Sequence, residues 1–128
     1  MRKAQQTRSL VAAWFDFMSP TELPAAQAIH KAIRATVADM SETIRQGNLL
    51  MSLNGEPLLA IAPARNQVQL LIFNGSDIED TLGPLEGVGR RQRVVKFPSH
   101  LPVDPARVHE IARASADVAR RQQAVEGN

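Results

Sequence analysis

The fold is decided by the stretch Ile44–Phe73, which reads IRQGNLLMSLNGEPLLAIAPARNQVQLLIF. At its centre lies the pair Asn54-Gly55, and both residue types accept the positive φ that a two-residue type I′ hairpin turn requires. Apolar runs rich in strand-forming residues flank this turn, and residues 63–66 (PARN) predict a second one. The stretch therefore predicts three antiparallel strands joined as a meander: residues 44–53 (interrupted once at Gly47), 58–62 and 67–73.

Two amphipathic helices are predicted before this meander. In the first, residues 3–18, one apolar face has the i, i+3, i+4, i+7 spacing of a helix, and it consists of Val11, Trp14, Phe15 and Met18. Phe17 lies off this face, so it either makes a second contact or is exposed and available for self-association. The second helix begins at Ser19-Pro20 or, after a short turn, at Pro24. Its apolar stripe consists of Ile29, Ile33, Thr36/Val37 and Met40.

After the meander, residues 77–80 predict one short helical turn, and the glycines of residues 83–89 predict an irregular loop. Residues 91–97 alternate as a partly solvated edge strand with Val94 and Val95 in the core, and Asp104-Pro105 begins a last helix. Residues 121–128 are polar and are expected to fray. The sum is one α+β domain over residues 1–128, with its core at about 8–120, four to five antiparallel strands and three main helices.

Composition narrows the possible functions. The chain has 128 residues, 15 Lys+Arg, 13 Asp+Glu and no Cys, which excludes disulfides, thiolate metal sites and thiol catalysis. There is neither an apolar run of the roughly 20 residues that span a bilayer nor a signal-peptide pattern, so a cytoplasmic protein is expected. With a net charge of +2 and only five aromatic residues, nucleic-acid binding is not indicated.

Several motifs resemble a family of small bacterial proteins, the YdhG-like domain of unknown function. They are residues 73–77 (FNGSD), 85–90 (LEGVGR) and 93–97 (RVVKF), preceded by the hairpin 53–58 (LNGEPL) and by residues 42–44 (ETI). The resemblance covers about residues 8–120. It implies an α+β fold with a curved antiparallel sheet and flanking helices, similar to secretion-chaperone-like domains. One branch is proposed to chaperone iron by analogy with frataxin, so the resemblance alone allows iron as a cofactor.

The chain departs from this family at residues 45–49 (RQGNL). Relatives have an aromatic-glycine motif followed by a proline after the segment that matches residues 42–44. If that motif lines a pocket in relatives, the pocket is altered or unused here.

The loop Gly83–Arg93 is the segment whose composition suggests chemistry most directly. Glycines let backbone N–H groups approach a ligand, and arginine is a bidentate donor to carboxylate or phosphate. We therefore predict a small-anion site, and its candidate residues are Gly87, Gly89, Arg90, Arg91 and Arg93. The alternative is that the glycines make a turn and the arginines protect an edge strand from aggregation.

A second hypothesis is a metal site at Asp77, Glu79 and Asp80, since Asp77 and Asp80 share one face of a helical turn. The alternative is that Asp77 caps the turn and the other carboxylates offset the helix dipole. The histidines His30, His100 and His109 form no ligand motif, and no catalytic residue can be assigned. The sequence thus favours a binding domain for a small ligand or a protein, with a homodimeric interaction module as a further possibility.

Overall fold

The computed structural model describes residues 2–87 and 89–126. Four helices and five strands follow one another, and the order is α1 (Arg2–Asp16), α2 (Leu23–Thr36), β1 (Ser41–Arg45), β2 (Asn48–Leu53), β3 (Glu56–Ala64), β4 (Gln67–Ile72), α3 (Gly75–Leu82), β5 (Arg93–Pro98) and α4 (Pro105–Glu126). This is the predicted α+β arrangement of two N-terminal helices, an antiparallel meander and a C-terminal helix.

The five strands form a single antiparallel sheet in the order β1-β2-β3-β4-β5. The Asn54-Gly55 hairpin is confirmed, with φ angles of 52° and 85°. The predicted strand over residues 44–53 is wrong, because Gln46 and Gly47 also adopt positive φ and fold it into a second hairpin, β1–β2. Strand β5 lies at the sheet edge as predicted, and Val94 N–H donates to Glu86 O at 2.6 Å on its outer side.

Helices α2 and α4 pack against one face of the sheet. The strand side chains on that face form the main core with α2 and α4, and they include Leu49, Met51, Leu59, Ile61, Val68, Leu70 and Ile72. The pairing register places Thr43, Leu50, Ala60, Leu71 and Val94 in one row across the opposite face, here called the open face. One face of the sheet is therefore covered by α2 and α4, whereas the open face is not packed against these helices.

The ends of the helices refine the predicted boundaries. Ser19 accepts backbone hydrogen bonds from Glu22 and Leu23, so a short turn precedes α2 and Pro24 lies in its first helical turn. At the other end of the chain, α4 continues to Glu126, beyond the predicted start of the tail at residue 121. The Gln123 side chain donates to Leu53 O at 2.9 Å, and this contact holds the last turns of α4 on the sheet. Residues 127 and 128 lie outside the described residues.

Helix α3 is longer than the single turn that was predicted, and a buried polar pair joins it to α4. Asn74, just before α3, donates to Ser115 O at 3.0 Å and accepts from Ser115 Oγ at 2.7 Å. Both residues are buried, and these two hydrogen bonds give their polar side chains the partners that buried polar groups require. This pair fixes α3, and with it the loop that follows, relative to the core.

Candidate functional site

Arg93, the first residue of β5, is anchored by the segment that precedes it. Its Nε donates to Glu79 Oε1 on α3 at 3.1 Å, and one terminal nitrogen donates to Gly89 O at 3.1 Å and Gln92 O at 2.9 Å. Only 16% of the side chain is exposed. The donors of Arg93, one of the arginines that the anion-site hypothesis assigned to a ligand, are therefore engaged within the protein.

Glu79 closes this cluster from the opposite side. Its Oε2 accepts the Leu85 backbone N–H at 2.9 Å, while Oε1 receives Arg93. The Leu85 hydrogen bond, together with the charge and hydrogen bond of Arg93, holds the pKa of Glu79 below its usual value against the opposing effect of burial. Glu79 thus ties α3 to the loop and to β5 as a carboxylate.

Arg91 and Asp77 form a second, more exposed pair between the same two segments. Arg91 Nη2 donates to Asp77 Oδ2 at 3.0 Å, with 58% and 35% of the two side chains exposed. Gln122 of α4 donates to the same carboxylate oxygen at 3.4 Å. The residues predicted for an anion site and those predicted for a metal site therefore pair with each other.

Close packing accounts for Gly87 in the loop. A Cβ at Gly87 would lie 2.7 Å from Arg93 Cδ and 2.7 Å from Gln92 O, so a larger residue would displace the start of β5. Gly89 has a φ of 103°, which favours glycine. Arg90 is exposed and, within the described part of the chain, forms neither a hydrogen bond nor an ion pair. Anion binding by this loop stays a prediction, with Arg90 as its free cation.

The structure does not assemble the acidic residues into a ligand set. Among residues 2–87 and 89–126, no three His, Asp or Glu side chains converge as they would around a metal ion. Asp80 is exposed on α3, while Asp77 and Glu79 face arginines. The metal hypothesis at Asp77, Glu79 and Asp80 also stays a prediction.

The sequence did not predict one group of polar contacts, which joins α2 to β1. His30 on α2 forms a hydrogen bond with Glu42 on β1, and Arg34 donates to Met40 O at 2.7 Å nearby. Burial acts to raise the pKa of Glu42, but His30 and the charge of Arg34 outweigh it and lower that pKa. His30 and Glu42 are 12 positions apart on different elements, and no spacing rule joins them.

Helix α1 presents an apolar surface away from the domain. Phe17 follows the helix with 90% of the residue exposed, and Leu10 is 57% exposed. They flank a groove of about 470 Å³, lined also by Trp14, Ile44 and Pro63. The surface formed by Leu10, Ala13, Trp14 and Phe17, with this groove, is called the α1 surface below.

Comparison with known proteins shows which solved fold this architecture resembles. No protein-family model and no curated protein matches the chain. Among solved structures, it resembles the crystal structure of YdhG, a DUF1801-family protein from Bacillus subtilis, with a TM-score of 0.64 over 87% of this chain and 92% of that one. The chain has the YdhG fold. The identity is 11%, so the likeness establishes the fold alone.

The YdhG fold bears out the resemblance noted over about residues 8–120, at the level of architecture. In this chain two helices precede the sheet, α3 lies between β4 and β5, and the long helix α4 follows β5. No helix among the described residues has the length and apolar character needed to cross a membrane. Function must be argued from surfaces of this chain.

Proposed function

We propose that the chain is a non-enzymatic binding domain that associates with a second copy of itself through the α1 surface. The observation behind the proposal is the exposure of Phe17, 90% of which is open to solvent beside an apolar groove. Burying one such side chain contributes about 2 kcal/mol, so leaving it exposed favours a partner that covers it.

Helix α1 has two apolar stripes, which supports this use. Val11, Phe15 and Met18 are partly buried against the core. Leu10 and Ala13, three residues apart, form a separate group about a third of a turn around the helix, and Phe17, the residue after the helix end, extends this exposed group. A helix with one packed stripe and a second exposed one is typical of a helix that pairs with another helix.

The position of α1 is fixed, so the exposed stripe is presented in a defined geometry. Trp14 Nε1 donates to Gly47 O in the β1–β2 turn at 2.8 Å, and the Trp14 and Phe15 rings meet edge to face with centroids 4.9 Å apart. A preorganised surface loses less conformational entropy when it binds.

A second copy suits this surface because a projecting ring lies beside a groove. In a two-fold dimer each Phe17 can enter the groove of the other copy, so the same contact forms twice. None of the described residues that line the groove is charged, so the groove itself does not repel an identical surface electrostatically.

Analytical ultracentrifugation tests the proposal on the full chain. We expect a reversible dimer whose mass fraction rises between micromolar and millimolar concentration, and Phe17→Ser weakens it by at least about tenfold. Val125→Ser is the matched control, since Val125 is 75% exposed near the end of α4. A monomer mass at every concentration, or equal effects of the two substitutions, contradicts the proposal.

A further inference from the structure

A second groove lies on the open face of the sheet, separate from the α1 surface. The strand residues beside the α1 groove, Ile44 and Pro63, alternate with those of the open face and belong to the other side of the sheet. The second groove has a volume of about 350 Å³ and is lined by strand, turn and loop residues. This volume is within the usual range for small-molecule sites.

The floor of this groove is apolar and is set by the sheet register. Leu50, Ala60 and Leu71 are direct neighbours on β2, β3 and β4. Ala60 has the smallest of these three side chains and lies between the two leucines, with 3% of the residue exposed. Pro57 and Phe73 add further apolar lining. The floor can thus hold an apolar body several carbons wide.

Polar groups lie around this floor, and one of them is charged. Among the described residues that line the groove, Arg45, at the end of β1, is the only charged one. Gln46, Asn48 and Gln92 contribute side-chain amides to the same lining. In the described part of the chain, no hydrogen bond or ion pair occupies any of these four side chains, which leaves their donors available to a ligand.

We infer that the open-face groove binds a small molecule that has an apolar body and a single carboxylate. The body lies on Leu50, Ala60 and Leu71, and the carboxylate pairs with the Arg45 guanidinium, whose planar donors match it. A single unpaired cation selects one negative charge, because no second cation is found among the described residues that line the groove. The site does not depend on self-association, since none of its residues belongs to the α1 surface.

The test compares the binding of naphthalene carboxylate with that of the neutral naphthyl alcohol that has the same ring system. Binding of each probe is monitored in amide NMR spectra of the labelled chain. We expect the carboxylate to shift the amides of Leu50, Ala60, Leu71 and Gln92 and to bind more tightly than the alcohol. Arg45→Gln weakens carboxylate binding by about tenfold and leaves the alcohol unaffected, as expected for the loss of one charge-assisted contact.

Arg65→Gln is the matched control, because Arg65 is also an exposed arginine next to a strand end but does not line the groove. Equal affinity for the two probes, or equal weakening by Arg45→Gln and Arg65→Gln, overturns the inference. Shifts confined to Trp14 and Phe17 also overturn it, and they assign the probe to the α1 surface instead. Unchanged melting temperatures of both variants show that the fold is intact.

Discussion

The two edge strands of the sheet each contain an arginine, and the two surroundings differ. Arg93 begins β5 at one edge and is 16% exposed, with Glu79 and two carbonyl oxygens around its guanidinium. Arg45 ends β1 at the other edge, exposed, and lines the open-face groove without a partner in the part of the chain that the structure describes. Arg93 therefore stabilises the fold, whereas Arg45 is available to a ligand.

The difference follows from the neighbouring elements. Helix α3 places Asp77 and Glu79 against the start of β5, so cations there are neutralised during folding. None of the described residues that line the groove beside Arg45 is acidic. Clustered arginines in a sequence are thus a weaker sign of anion binding than one arginine whose surroundings lack carboxylates.

The largest effect is expected where α3 meets β5. Gly75→Ala places a Cβ against the Cβ of Arg93 and 2.9 Å from the Arg93 backbone nitrogen, so β5 must shift. We expect a loss of about 1–3 kcal/mol in the free energy of unfolding, measured by urea denaturation. Thr81→Ala, at an exposed position of the same helix, is the control and should change stability little. Equal stabilities of the two variants would show that the junction tolerates a displaced β5.

Local signals in the sequence predicted most of this fold. Asn54-Gly55 specified its hairpin because the turn type depends on those two residues. Gln46-Gly47 does not signal a hairpin turn in the sequence, because glutamine seldom adopts the positive φ that it has here. The end of α4 depends on the Gln123 contact with Leu53, which joins residues 70 positions apart and has no local signal.

An intermediate effect is expected in acid. The pKa of Glu79 is lower in the folded chain than its ordinary value of 4.5, so its contribution to stability is complete above that pH and is lost as the pH falls through the folded pKa. Glu79→Gln removes that contribution. We expect a melting temperature a few degrees lower at neutral pH and a flatter decline below pH 4.5. The measurement is thermal unfolding across a pH series.

Asp80→Asn is the control for this series, because Asp80 is exposed on the same helix and has no hydrogen bond or ion pair within the described residues. The melting temperature of this variant should follow that of the unchanged chain across the pH series. If the melting temperature of Glu79→Gln falls as steeply in acid as that of the unchanged chain, the contacts with Leu85 and Arg93 do not lower the pKa of Glu79 in the folded state relative to the unfolded state.

The candidate sites show what residue spacing cannot reveal. The loop arginines and the α3 carboxylates were predicted as two separate sites, and they pair with each other because α3 and β5 are adjacent in space. The groove on the open face combines residues from β1 to the loop before β5, and only the strand register brings them together: Arg45, Gln46, Asn48, Leu50, Pro57, Ala60, Leu71, Phe73 and Gln92. The exposed side chains of α1 have a partial signal in the sequence, since Leu10 and Ala13 have helical spacing and Phe17 lies off the predicted packed face.

The smallest effect is expected from Arg90→Gln combined with Arg91→Gln. The Arg91–Asp77 pair is largely exposed, and exposed pairs contribute at most about 1 kcal/mol, so the melting temperature should hardly move. Naphthalene carboxylate should bind the double variant as it binds the unchanged chain, because neither arginine lines the open-face groove. A titration with inorganic phosphate, followed at the amides of Gly87 and Gly89, completes the comparison. Phosphate shifts that the double variant abolishes would assign a second anion site to this loop, with Arg90 as its free cation and the Asp77 pair open to exchange.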